Sequence, residues 1–168
     1  DAHRPAAYLN ILLTLLAFAH GSLILQEVYQ SGPVDLAFPW LSVADLELNI
    51  SFSLSLTNLV ALELITGLSL LSQVYSLGYM DKEWALARFF ALLGFFEGAM
   101  SGVVLSDSLF QSYFLLEMLT LSTYLLVGFW YAQPLVVTAA RDAFLTKRVG
   151  DVLPVSYTHL TLPTSFEV

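Results

Sequence analysis

Residues 85–105 read ALARFFALLGFFEGAMSGVVL, an apolar stretch that carries one acidic side chain, Glu97, near its middle. A transmembrane helix needs about 20 apolar residues, because the hydrocarbon core is about 30 Å thick and each helical residue rises about 1.5 Å. Comparable stretches cover residues 7–29, 59–80 and 109–131, and a further one begins near residue 135. The sequence therefore predicts an all-α membrane protein with four transmembrane helices and a truncated fifth.

The composition agrees with this class and excludes several functions. Of the 168 residues, 57% are hydrophobic and 12% are charged, and the mean hydropathy is +0.73, whereas a soluble domain is about half apolar and a quarter charged. The absence of cysteine excludes disulfides, Cys-ligated zinc and iron-sulfur clusters. Three scattered His residues argue against a His-built metal site, so we predict no metal and no cofactor in this chain. The net charge of -8 opposes binding to nucleic acid.

The basic residues are confined to alternate links between the apolar stretches. They lie before the first stretch, around the link between the second and third, and after the fourth: Arg4, Lys82, Arg88, Arg141, Lys147 and Arg148. Cytoplasmic loops of membrane proteins are enriched in Lys and Arg. We therefore predict that these links, and the beginning of this chain, lie on the cytoplasmic side.

A different pattern occupies the link between the first two stretches. Across residues 46–53, Leu or other apolar side chains alternate with Glu, Asn and Ser, and a period of two is typical of a strand with one buried face. Residues 38–43 precede it across Ala44 and Asp45, a short connection that suits a hairpin. We predict a small β-hairpin over residues 38–53, on the non-cytoplasmic side.

Apart from Glu27 near the end of the first stretch, three acidic residues fall inside the apolar stretches, namely Glu63, Glu97 and Glu117. A carboxylate in hydrocarbon costs at least about 2.5 kcal/mol, so each one needs a reason. Glu63 lies near the start of its helix, where a hydrated rim residue is the simpler interpretation. Glu97 and Glu117 lie deeper, and two interpretations stay open: a protonated acid hydrogen-bonded to a neighbouring helix, or an acid that gains and loses protons as in pumps.

Two further motifs bear on packing and charge. The segment GFFEG at 94–98 has the small-xxx-small spacing that lets transmembrane helices approach closely. The segment RDAFLTKRVGD at 141–151 contains Arg148 and Asp151, which are three residues apart. Residues at that spacing share a helix face, so the two charges can pair.

Several stretches together resemble one family. They are ITGLSLLSQVYSLGYM (65–80), ARFFALLGFFEGAM (87–100), YFLLEMLTLSTYLLVGFWY (113–131) and RDAFLTKRVGD (141–151). In this order, and with a hairpin ahead of them, they are similar to the antiporter-like subunit 5 of complex I, called NuoL in bacteria and NdhF in cyanobacteria and chloroplasts. The resemblance covers nearly all of residues 1–154.

The resemblance implies a proton-translocating membrane subunit of an NAD(P)H-quinone oxidoreductase. Glu117 matches the family's Glu on its fifth helix, which works with a Lys further along, and Arg148 and Asp151 match its RVGD motif. Glu97 falls outside that motif and joins the predicted proton-transfer set because of its depth, as a residue that could belong to one branch of the family. The resemblance also implies that partner subunits hold the quinone, the iron-sulfur clusters and the NAD(P)H or ferredoxin site. The expected partners of this chain are other membrane subunits of the complex and the lipid bilayer.

Other residues are similar to one branch of the family, the cyanobacterial CO2-uptake forms. These are residues 116–121, 133–137 and 146–148, while Leu116 and Thr57 stand where respiratory members usually have Trp and Asp. That branch implies a thylakoid membrane, plastoquinone as electron acceptor, and a CO2-hydration protein as a partner. A bacterial inner membrane is the alternative location.

Two rival functions stay open at this point. The large subunit of a multisubunit Na+/H+ antiporter shares the fold and many motifs, and a helix bundle that only anchors other subunits would also carry silent, protonated acids. At the far end, VSYTHLTLPT (155–164) resembles a translated sequencing adapter. We therefore expect residues 155–168 to be a non-native tail and residues 1–154 to be an excerpt of a longer subunit.

Overall fold

The computed structural model describes residues 4–43, 46–80, 82–83 and 85–161. In that part of the chain, the elements are α1 (Arg4–Ser31), β1 (Val34–Val43), β2 (Leu46–Leu54), α2 (Leu56–Tyr79), α3 (Leu86–Leu105), α4 (Leu109–Val127) and α5 (Pro134–Thr161). By length and composition, α1 to α4 are each able to cross a membrane. This confirms a mostly helical fold with four candidate membrane spans. The chain forms two compact units, residues 1–122 and 123–168.

In the first unit, α1, α2 and α3 pack against one another. Small residues mark the places of closest approach, as is usual between transmembrane helices. Gly67 of α2 lies against the ring of Phe18 on α1, and Gly94 of α3 lies against Asn10 on α1. Of the two glycines in GFFEG, only Gly94 is in such a contact, because no described atom lies within 4 Å of a Cβ built at Gly98.

The two strands form the predicted hairpin. They pair antiparallel from Val34 opposite Leu54 to Val43 opposite Leu46, so the paired region begins before the predicted residue 38. The register shifts between Pro39 and Leu41, where proline has no N–H to give to the ladder. The turn predicted at residues 44–45 lies outside the described residues.

The hairpin lies where α1 ends and α2 begins, and hydrogen bonds fix it to α3 and α4. The backbone N–H of Asp107, just after α3, donates to the carbonyl of Ser51 at 3.1 Å. The N–H of Ser51 donates to Oε1 of Gln111 on α4 at 2.9 Å. Ser55 then caps α2 by accepting from the N–H of Asn58 at 3.2 Å. The hairpin is thereby hydrogen-bonded to the segment after α3 and to the start of α4.

In the second unit, the fourth apolar stretch ends earlier than predicted. Its helix stops at Val127, and the N–H of Gly128 donates to the carbonyl of Tyr124 at 2.9 Å. The helix therefore ends four residues before the predicted end of the span at residue 131, and the residues that follow form turns although most of them are apolar. Helix α5 includes residues 155–161 of the expected tail, whose origin stays a prediction.

Candidate functional site

The most buried acid of the predicted set is Glu97, in the middle of α3. Its residue is only 8% exposed. Oε2 of Glu97 accepts three hydrogen bonds, from Oγ1 of Thr14 at 2.9 Å, Oγ of Ser69 at 2.7 Å and Nε2 of Gln73 at 2.9 Å. The donors come from α1 and α2, so three helices meet at one carboxyl oxygen. They replace the water that a carboxyl group loses on burial, which otherwise costs several kcal/mol.

These four residues, here called the Glu97 cluster (Thr14, Ser69, Gln73 and Glu97), are also connected among themselves. Nε2 of Gln73 lies 2.8 Å from Oγ1 of Thr14 and 3.2 Å from Oγ of Ser69. Thr14 therefore accepts from Gln73 while its hydroxyl donates to Glu97. A hydroxyl group can accept and donate at once, so Thr14 links the amide of Gln73 to the carboxyl group of Glu97.

One acceptor of the Glu97 cluster stays unsatisfied. Gln73 is fully buried, and its Oε1 has no hydrogen-bond partner within the described residues. A cavity of about 270 Å³ lies beside the cluster between α2 and α3. Its walls are mostly apolar, and Ser69, Ser72 and Glu97 supply the polar part of its lining. Because one water occupies about 30 Å³ in the liquid, the cavity has room for several.

The neutral members of the Glu97 cluster are functional candidates that the sequence reasoning missed. The sequence prediction included only ionisable side chains, because these are the rarest and most costly residues in an apolar stretch. A detectable signal was nevertheless present, since Ser69 and Gln73 are four residues apart on α2 and share a face. The position of Thr14 opposite them depends on how α1 packs, which the sequence does not show.

Glu63 lies between α2 and α1. Oγ of Ser22 on α1 donates to its Oε2 at 2.9 Å. Its Oε1 is buried, has no hydrogen-bond partner in the described part of the chain, and faces Gly21 so closely that a Cβ at position 21 would collide with it. The glycine makes room for the carboxyl group.

The remaining predicted residues lie on α4 and α5. Glu117 is half-buried, eight positions after Leu109, the first residue of α4. Arg148 and Asp151 lie on α5, in the second unit, on one face of that helix. The guanidinium carbon of Arg148 lies 5.2 Å from the ring centroid of Phe144, within the range of a cation–π contact. The structure thus gathers hydrogen-bond donors around Glu97 and places the other three on two further helices.

Comparison with known proteins finds two family models on this chain. Residues 40–90 match the model described as NADH-Ubiquinone oxidoreductase (complex I), chain 5 N-terminus. Residues 106–155 match the model described as NADH:quinone oxidoreductase/Mrp antiporter, TM. The two matches lie in sequence order and together include β2, α2, α4 and parts of β1, α3 and α5.

Curated relatives carry related names. The chain is 76% identical over 155 residues to NAD(P)H-quinone oxidoreductase subunit 5, organellar chromatophore 2, of Paulinella chromatophora, covering 91% of this chain and 25% of the relative. It is 35% identical over 144 residues to the chloroplastic subunit 5 of Chaetosphaeridium globosum, covering 86% and 21%. The chain therefore spans about a quarter or less of the length of these relatives. It belongs to the family of complex I chain 5, the antiporter-like subunit 5 of NAD(P)H-quinone oxidoreductases.

Proposed function

We propose that this chain is part of a proton-translocating membrane subunit of an NAD(P)H- or ferredoxin-dependent quinone oxidoreductase. The observation that carries the proposal is the presence of acidic side chains in the middle of two consecutive spanning helices, Glu97 on α3 and Glu117 on α4. Such residues are expensive in lipid and typically mark proton paths. The names of the relatives, which are subunits of a quinone oxidoreductase, support the same function.

In this proposal Glu117 is the switchable proton carrier. Arg148 and Asp151 help to couple the protonation of Glu117 to the neighbouring half-channel. A change in the pairing of these two charges alters the electrostatic potential around them. Glu97 exchanges protons through the hydroxyl groups of Thr14 and Ser69, which donate hydrogen bonds to its carboxyl group. Burial disfavours an ionised carboxyl group, whereas nearby cations and hydrogen-bond donors favour it, so the surroundings decide when a proton is held.

The redox chemistry belongs to other subunits. Quinone, iron-sulfur clusters and the electron-donor site lie with these partners, and the chain contributes no redox centre. The integral membrane location agrees with four spans, and the chloroplastic names of relatives support a thylakoid membrane. The confinement of the basic residues to alternate links supports a cytoplasmic position for those links and a non-cytoplasmic position for the hairpin.

A finer assignment is the CO2-uptake branch, in which a CO2-hydration protein is a further partner. The residues that support it are those at 116–121, 133–137 and 146–148. Purification of the native complex tests this assignment. A CO2-hydration protein that co-purifies with the full-length subunit supports it, and a complex that lacks such a protein overturns it.

The experiment that tests the main proposal is Glu117→Gln in the full-length subunit of the assembled complex in liposomes. We expect nearly complete loss of proton translocation, because the amide keeps the size of the side chain and cannot carry the proton. Glu27→Gln is the matched control, since Glu27 is an exposed acid on α1. Unchanged translocation by Glu117→Gln would remove this residue from the path.

A second candidate function is the large subunit of a Na+/H+ antiporter. It is favoured by the description of the second family model, which also names Mrp antiporters. Such a protein would have no redox partners. Co-purification of the full-length subunit with quinone-reducing activity therefore supports the oxidoreductase, and Na+/H+ exchange without that activity supports the antiporter.

A further inference from the structure

A stripe of polar side chains runs along one face of α2. Its members recur every three or four residues, which is the helical period: Glu63, Thr66, Ser69, Gln73 and Ser76. Thr66, Gln73 and Ser76 are buried. A buried polar group costs free energy unless it has hydrogen-bond partners. The stripe, here called the α2 stripe, therefore requires partners along its length.

Two oxygen atoms of the α2 stripe have no partner among the described residues. They are Oε1 of Glu63 and Oε1 of Gln73, and both are buried acceptors. An unsatisfied buried acceptor costs about 1–3 kcal/mol. Buried water usually satisfies such groups and makes about three hydrogen bonds at each site. Each of the two oxygens is therefore able to accept a hydrogen bond from a bound water.

Three side chains of the α2 stripe are already hydrogen-bonded to α1 or α3. Glu63 accepts from Ser22 on α1, and Ser69 and Gln73 donate to Glu97 on α3. Glu63 and Ser69 are separated by six residues, an axial rise of about 9 Å. Two or three hydrogen-bonded waters span that distance.

Thr66 lies halfway along this gap. Its hydroxyl donates to the carbonyl of Leu62 at 3.0 Å, which leaves the oxygen lone pairs able to accept from water. The gap therefore has a polar group at its start, its middle and its end. A row of waters has partners at each of these positions.

We propose that Glu63 exchanges protons and that waters bound along the α2 stripe connect it to Glu97. The inference rests on the proposed function and adds a path inside the group α1–α3. A proton leaves the carboxyl group of Glu63 for the water at its Oε1. Each water then gains one proton and gives one to the next carrier, until the carboxylate of Glu97 is protonated. Only O–H bonds form and break, and no other reactant is needed.

Two substitutions test the path in the full-length subunit, assembled in its complex and reconstituted in liposomes. Glu63→Gln removes the exchanging group, and Thr66→Val removes the hydroxyl at the midpoint while both acids remain. We expect each to lower the rate of proton translocation by about tenfold or more, since removal of a group that transfers protons typically costs about 10²–10⁴-fold. Glu27→Gln is the control and should translocate like the wild type.

A second measurement separates loss of the path from loss of the fold. Glu63→Asp keeps a carboxyl group and should restore part of the lost translocation, whereas a general packing defect would persist. If Glu63→Gln does not assemble, Thr66→Val alone decides, because its lost hydroxyl bonds only to its own helix in the described structure. In infrared spectra, Thr66→Val should also remove O–H bands of bound water.

The outcome distinguishes this path from the proposed function. Wild-type translocation by both Glu63→Gln and Thr66→Val overturns the path when Glu117→Gln in the same preparation is inactive. Wild-type translocation by all three variants overturns the proposed function itself. A tenfold loss in the two α2 variants, with a normal Glu27→Gln control, supports the path.

Discussion

Thr14→Val is the most informative single change in the Glu97 cluster. Valine keeps the size of threonine and removes two hydrogen bonds, the one donated to Glu97 at 2.9 Å and the one accepted from Gln73 at 2.8 Å. A neutral hydrogen bond between membrane helices contributes about 0.6 kcal/mol, whereas one to a charged group contributes about 1.5–3 kcal/mol. The loss in unfolding free energy therefore depends on the charge of Glu97.

If Glu97 is ionised, we expect Thr14→Val to lower the free energy of unfolding by about 2–4 kcal/mol, and if it is protonated, by about 1 kcal/mol. Equilibrium unfolding of the purified chain in mixed micelles measures the change. Repeating the substitution in a Glu97→Gln background completes a double-mutant cycle and isolates the bond between the two side chains.

The matched control is Thr138→Val. Thr138 is exposed on α5, and among the described residues its hydroxyl donates to the carbonyl of Pro134 in its own helix. We expect its effect to stay within about 0.5 kcal/mol, as for most surface substitutions. A change of similar size in Thr14→Val, with no coupling to Glu97, would refute the hydrogen-bonded cluster.

Two further predictions concern the packing around the site. Gly21→Ala places a Cβ against the carboxyl group of Glu63 and forces that end of a flexible side chain to move. Gly98→Ala, with no described atom near its Cβ, should stabilise α3 by up to about 1 kcal/mol. Thermal unfolding should therefore show Gly21→Ala to be less stable than Gly98→Ala, and an equal effect would contradict the close approach. Gln111→Ala should leave the N–H of Ser51 without its acceptor, at a cost of about 1–3 kcal/mol. Hydrogen exchange of the Ser51 amide should then accelerate by about tenfold or more, and unchanged protection would show that Gln111 does not hold the hairpin.

The helices could be predicted from the sequence because lipid imposes a length on every apolar stretch. The boundary of α4 could not, since Phe129 and the residues after it are as apolar as a span, yet the helix ends at Val127 before Gly128. The hairpin was visible from its alternation, but its start at Val34 depends on pairing with Leu54. Apolar side chains alone do not indicate where pairing begins.

The candidate site was predictable only in part. Glu97 was visible because a carboxyl group is rare at that depth. Its donors Thr14, Ser69 and Gln73 were not, because neutral polar residues are tolerated in many spanning helices and their partners depend on helix rotation. The structure adds this information by bringing α1 and α2 to the face of α3 that carries Glu97.

The central claim is that carboxyl groups deep in the membrane gain and lose protons during turnover. Infrared difference spectra of the full-length subunit in its complex, recorded before and during quinone reduction, test it most directly. We expect carboxyl C=O bands that change during turnover, one absent in Glu117→Gln and another absent in Glu97→Gln. Spectra in which neither substitution removes a changing carboxyl band would contradict the account.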